Sequence, residues 1–97
     1  MFYHSFFEDE GEKVLAVCDK KILGEVLEHE EGTFRVSEDF YGGEEIGKEE
    51  LLDKAGRSSV LNAVGNDVVE FLTKNNFFDK DKVIEVEGVK HAQMLRL

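Results

Sequence analysis

The sequence predicts an α+β domain, a largely antiparallel sheet with two or three helices packed on one face, and three stretches of the chain carry that prediction. Residues 2–36 run as β-rich segments broken by short polar turns, residues 48–76 shift to a helical period, and residues 83–97 return to β pattern. Strands, then helices, then strands, without βαβ alternation, describe helices laid on an antiparallel sheet. The 97 residues make one domain, 1–97, because a chain of that size does not divide into two cores. With 41% hydrophobic residues and eight Phe, it carries the apolar surface that a disordered chain lacks.

The elements follow in order. In "FYHSFF", Phe2 and Phe6 fall on one face of a strand and Tyr3 and Phe7 on the other; "EDEGEK" supplies an acidic turn around Gly11, and "VLAVCD" returns as a run apolar on both faces. These segments read as a hairpin. Asp19, Lys20 and Lys21 make the turn into a second hairpin, "ILGEVLEH" with "TFRVS", joined by "EEG", where Gly32 is free to take positive φ. Over residues 20–28 a helix competes with the strand, since Ile22, Val26 and Leu27 are also helically spaced. Gly24 costs such a helix about 1 kcal/mol, which favours the strand.

Past the "FYGG" loop, "KEELLDKA" reads as a helix with acids in its first turn and Gly56 as its stop. "SSVLNAVGNDVVEFLTKNN" sets Val60, Leu61, Val64, Val68, Phe71 and Leu72 in an amphipathic helical stripe, with Ser58 or Ser59 as N-cap. Gly65 marks a point where that helix can break, and Asp67 with Glu70 imitates a capping box for a restart. "NNFFDKDK" is a polar linker whose two Phe tuck back onto the core. "VIEVEGVKHAQMLRL" closes the sheet, with Gly88 as a turn or bulge and a last strand over residues 89–97.

Charge excludes one class of function. The 22 acidic against 12 basic residues give a formal net charge of −10, with the lysines interleaved among acids, so charge-driven nucleic-acid binding is not expected. A basic protein partner fits that charge instead. Cys18 is the single cysteine, which rules out an internal disulfide and a multi-cysteine zinc site and fits a reducing cytosol. No apolar run reaches the ~20 residues a spanning helix requires, and "MFYHSFFEDE" has neither a basic n-region nor a sustained apolar h-region. The reading is cytoplasmic, with no membrane association.

No nucleophile elbow, phosphate-binding glycine loop, dinucleotide fingerprint, HExxH or EF-hand pattern is present. A catalytic site would have to draw on Cys18 as nucleophile and His91 as base, with Asp19 or Asn62 orienting them. His4, His29 and His91 lie on separate segments without helical i, i+4 spacing, and Asp39, Glu44 and Glu45 read as solvated acids, so no metal and no cofactor is expected. "SEDFYGGEE", residues 37–45, admits two readings. Gly42 and Gly43 permit a close backbone approach, and Phe40 and Tyr41 can anchor a partner; alternatively one ring caps the core while the glycines only turn the chain. In "GVKHAQML", His91 and Gln93 share one face of a strand and Ala92 and Met94 the other; on an exposed face imidazole and carboxamide form a small hydrogen-bonding pair for a ligand or a loop, and on a buried one His91 satisfies backbone near Gly88. Asn62 is the remaining polar candidate for a ligand or a neighbouring loop.

The order of "VLAVCD", "ILGEVL", "VSEDFYGGE", "NAVG" with "VVEF", and "GVKHAQML" resembles the small archaeal proteins classed as domain of unknown function 424, over nearly the whole chain. "FYGG" and "HAQ" are the most specific pieces, and Lys90 stands where the family has proline. The resemblance implies an archaeal cytosolic protein and supplies no activity, cofactor or catalytic residue. Three functional readings therefore stand. A non-enzymatic binding or adaptor module would dock through Phe40, Tyr41, Gly42, Gly43, Asn62, His91 and Gln93 onto a basic protein, with the translation or RNA-processing machinery as the expected setting. A small enzyme would be centred on Cys18 and His91, and a plain homodimer would pair through the aromatic loop.

Overall fold

The structure, a computed structural model, describes residues 1–30 and 32–96. Its first hairpin pairs β1 (Phe2–Asp9) with β2 (Glu12–Asp19). The connecting residues, Glu10 and Gly11, both have positive φ (51° and 84°), the signature of a two-residue turn whose twist matches its strands. The same device, Glu87 and Gly88 at φ 51° and 78°, joins β7 (Ile84–Val86) to β8 (Val89–Leu95). Residues 20–28 divide between the two readings. Lys20–Ile22 is a single 3-10 turn, and β3 (Val26–His29) follows Gly24, whose φ of 90° interrupts any helix. β3 pairs with β4 (Gly32–Arg35) as the expected second hairpin; Glu31 of its "EEG" connection and Leu97, the last residue of the strand expected over 89–97, lie outside the described residues.

The "FYGG" segment is not simply a loop. Ser37 caps a one-turn helix, α1 (Glu38–Tyr41), its Oγ accepting the Asp39 N–H at 3.1 Å. A short strand, β5 (Glu44–Ile46), leads to α2 (Lys48–Arg57), β6 (Val60–Val64) and α3 (Asn66–Lys74).

One expectation is overturned here. Residues 60–64, read as the start of a helix, form a central strand, and Ser58 terminates α2 instead of starting a helix. A short run such as Val-Leu-Asn-Ala-Val, buried on the helical face and half-buried along most of the other, lacks the polar alternation of an exposed strand and shares its apolar spacing with a buried helix. Nor does the Asp67–Glu70 pair start the following helix. The carboxylate of Asp19, at the far end of β2, accepts the Asp67 and Val68 N–H groups at 3.0 and 2.9 Å. Gly65 makes this cap feasible, because a Cβ there would stand 2.4 Å from the Asp19 carboxyl carbon.

The sheet runs β5-β1-β2-β6-β8-β7, antiparallel at every junction except β2 with β6. The fold is α+β, with α2 and α3 on one face and α1 with the β3–β4 ribbon on the other. On the helical face Leu15, Val17, Leu61, Ala63 and Ala92 meet Leu51, Ala55, Val68, Val69 and Leu72, and Phe78 tucks back as its linker pattern predicts. On the opposite face Ala16, Cys18 and Val64 lie beneath Leu27, Val36 and Tyr41. Because β2 is apolar on both faces, it is the strand that both layers bury.

Candidate functional site

The face under the ribbon can be read in transverse rows, since residues in register on neighbouring strands point the same way. One row runs Tyr3, Cys18, Val64, His91; the next runs Ser5, Ala16, Asn62, Gln93. Both begin apolar or small at the centre and end polar at β8. Asn62, half-buried, therefore sits beside Gln93 and one row from His91, where α1 and β4 stop short of covering the sheet.

Three contacts organise this spot. The Tyr41 hydroxyl donates to Asn62 Oδ1, and His91 Nε2–H donates to the same oxygen at 3.3 Å. Phe34 from β4 lays its edge against the His91 ring, with centroids 4.8 Å apart. Burial pushes the Tyr41 hydroxyl well above its ordinary range and the His91 imidazole below its own, so both are neutral at neutral pH and hold their protons as donors. With Nε2 protonated, neutral His91 offers Nδ1 as an acceptor. Neither that nitrogen nor Asn62 Nδ2 bonds a protein atom among the described residues, where no buried side-chain nitrogen or oxygen lacks a partner; both atoms therefore meet solvent.

These groups open into a shallow groove of about 390 Å³ lined by Phe34, Arg35, Ser37, Phe40, Tyr41, Asn62, His91 and Gln93. Five of the residues singled out in the sequence, Phe40, Tyr41, Asn62, His91 and Gln93, thus converge, although they come from three separate segments. Tyr41 departs from the expected exposed anchor. It is 3% exposed, because successive residues of a helical turn project about 100° apart and α1 sends Tyr41 into the core while Phe40 stays half-buried. Only its hydroxyl reaches the groove. The Phe40 ring edge rests on Tyr41 at 4.8 Å and on Phe7 at 6.1 Å.

Gly42 and Gly43 do not line the groove. A Cβ on Gly42 would lie 2.5 Å from the Glu38 carbonyl oxygen, and one on Gly43, at φ 137°, would lie 2.8 Å from that of His4. Their role is to bring the chain off α1 tightly against β1, where the Ser5 hydroxyl donates to the Gly42 carbonyl. Cys18 is displaced further from its expected role. It is fully buried, its thiol is pushed up to about 12 by burial and the adjacent Asp19, and β6 stands between it and His91. A thiolate nucleophile needs exposure and a neighbouring base, and Cys18 has neither.

Phe34, Arg35 and Ser37 escaped the sequence reading. "TFRVS" alternates well enough to predict a strand, but which residue of that strand would roof the sheet depends on how the ribbon folds over. A larger cavity of about 490 Å³ lies across the molecule between α3 and β7–β8, where Lys74, Lys80 and Lys90 are interspersed with Glu70 and Glu85. Lys90 already pairs with Glu70 at 3.5 Å, and none of the singled-out residues reaches it.

A crystal structure described as an uncharacterized conserved protein from Methanopyrus kandleri superposes with a TM-score of 0.81 at 23% identity, covering 99% of this chain and 93% of that one. At that identity the likeness shows the shared fold. None of the curated proteins searched matches the chain. The model of one family, described as "Protein of unknown function (DUF424)", matches residues 7–97, and the chain, with its "FYGG" turn and "HAQ" strand inside that span, belongs to the DUF424 family.

Proposed function

We propose that this protein is a non-enzymatic binding module that engages a protein partner through the Asn62 groove. The observation that carries the reading is the open polar cluster itself: Asn62 Nδ2, His91 Nδ1 and the exposed Gln93 carboxamide face solvent between the Phe34 and Phe40 rings. Two donors, an acceptor and a carboxamide between aromatic walls suit a main-chain amide or a carboxamide, which presents the complementary groups in one plane. The net charge of −10 favours association with basic proteins, of which those working on RNA in translation or RNA processing are an abundant class.

The reading is tested by affinity purification from the source organism's lysate at low and high salt, comparing wild type with Gln93→Ala and with Phe34→Ala. Wild type should retain a basic protein that both variants lose and that elutes as salt rises. Identical protein sets on all three baits would refute it.

A further inference from the structure

The rows of the sheet continue beyond the groove, and the next one differs in kind. Phe7, Val14, Val60 and Leu95 lie in register across β1, β2, β6 and β8 on the groove face. This row is apolar from end to end and only partly covered: Val14 is buried and Phe40 of α1 leans on Phe7, yet Phe7 is 39% and Leu95 71% exposed, with Val60 half-buried beside Leu95. Large apolar side chains aligned on one face and bordering a polar cluster mark a contact surface more often than isolated exposed ones do. The following row on this face is Asp9 opposite Glu12, at a hairpin tip that also carries exposed Glu8 and Glu10.

We infer that this row seats an apolar side chain of a basic polypeptide segment, whose Lys or Arg residues neighbour the anchor and meet Asp9 and Glu12. The inference rests on the binding-module reading and specifies its partner. Apolar area supplies the affinity, and the carboxylates select charge and speed encounter. The main chain of the segment would continue over Asn62 and Gln93, one row away, where free amide groups await it. Arg35 at the far end of the groove sets the polarity, since a second basic residue there would be repelled. A second copy of this chain is a poor occupant, because each copy brings a formal charge of −10 to the contact.

A phage-displayed library of random peptides, selected on the folded protein at low salt, tests this. Selected peptides should pair Leu, Ile or Phe with Lys or Arg, and a synthetic copy should shift the amide resonances of Phe7, Val60, Leu95 and Gln93. Leu95→Lys should weaken that peptide by about thirtyfold, the scale of a central anchor. Asp9→Lys combined with Glu12→Lys should weaken it by about tenfold at low salt and by less at high salt. The substituted positions Leu95, Asp9 and Glu12 are all exposed, so unchanged melting temperatures verify that the variants fold.

Acidic or uncharged selected peptides, or peptides indifferent to Leu95→Lys but sensitive to Gln93→Ala, would overturn this inference and leave the binding module standing. Failure to select any peptide would overturn it as well, and the Gln93→Ala purification then decides the module separately. Tight binding of a random single-stranded RNA to the Leu95 row, or a dimer dissolved by Leu95→Lys in sedimentation, would also overturn it.

Discussion

The two faces of the sheet are built from the same strands and covered to different extents. On the helical face, α2 and α3 seal Leu15, Leu61, Ala63 and Ala92 under a continuous apolar layer. On the other face a one-turn helix and a two-stranded ribbon cover only the centre, and the cover ends where Asn62, His91 and Gln93 begin. The contrast falls within single strands. Leu61 is fully buried against the helices and its neighbour Asn62 points to the groove, so one residue step along β6 passes from the sealed core to a solvent-meeting groove. A groove can carry polar, solvent-meeting groups here because the opposite face supplies the packing that holds them in place.

Substitutions on the two faces should therefore separate. The largest effect is expected from Leu61→Ala, which removes a fully buried side chain from the helical face and should lower unfolding free energy by about 2–5 kcal/mol in urea titrations. A loss below about 1 kcal/mol would mean that the helical face is not the stabilising layer. Tyr41→Phe, which deletes the hydroxyl bonded to Asn62 beneath the groove, should cost about 1 kcal/mol and loosen the Asn62 side chain in NMR relaxation.

A smaller effect concerns pH. His91 is held below its usual value by burial, so the unfolded chain takes up its proton first as pH falls. The contribution of neutral His91 to stability is complete above its ordinary value near 6.5 and is lost as pH drops through the lowered folded value. Urea titrations across that window should show a loss in wild type that is absent from His91→Gln. The reverse slope would mean that the imidazole is stabilised as a cation. The smallest effect is Gln93→Ala: within about 0.5 kcal/mol of wild type in stability, while partner retention falls. If it unfolds the protein, Gln93 belongs to the packing and not to the groove.

Much of this arrangement is legible in the sequence, and for local reasons. The alternation of "FYHSFF" assigns its aromatics to faces, Glu-Gly pairs make the turns of the β1–β2 and β7–β8 hairpins, and the two-residue period of "HAQM" places His91 with Gln93 and Ala92 with Met94. What escaped was non-local. Val60–Val64 carries no clear alternation because Val60 and Val64 are apolar on the groove face as Leu61 and Ala63 are on the helical face, and helix α3 is started by Asp19 on β2, far from it in sequence. The Phe34 and Arg35 wall of the groove depends on the ribbon folding over the sheet, which no spacing within "TFRVS" encodes.

The class of fold, the acidic net charge and the placement of His91 and Gln93 on one face of a strand follow from the sequence, because composition and short-range periodicity act within a few residues. Tertiary structure alone decided that β6 is a strand, that Cys18 is sealed away from His91, and that Tyr41 serves the groove through its hydroxyl while its ring serves the core. Those outcomes depend on which face each segment finds to bury. That choice is made by packing between segments distant in the chain, where burial outweighs local preference.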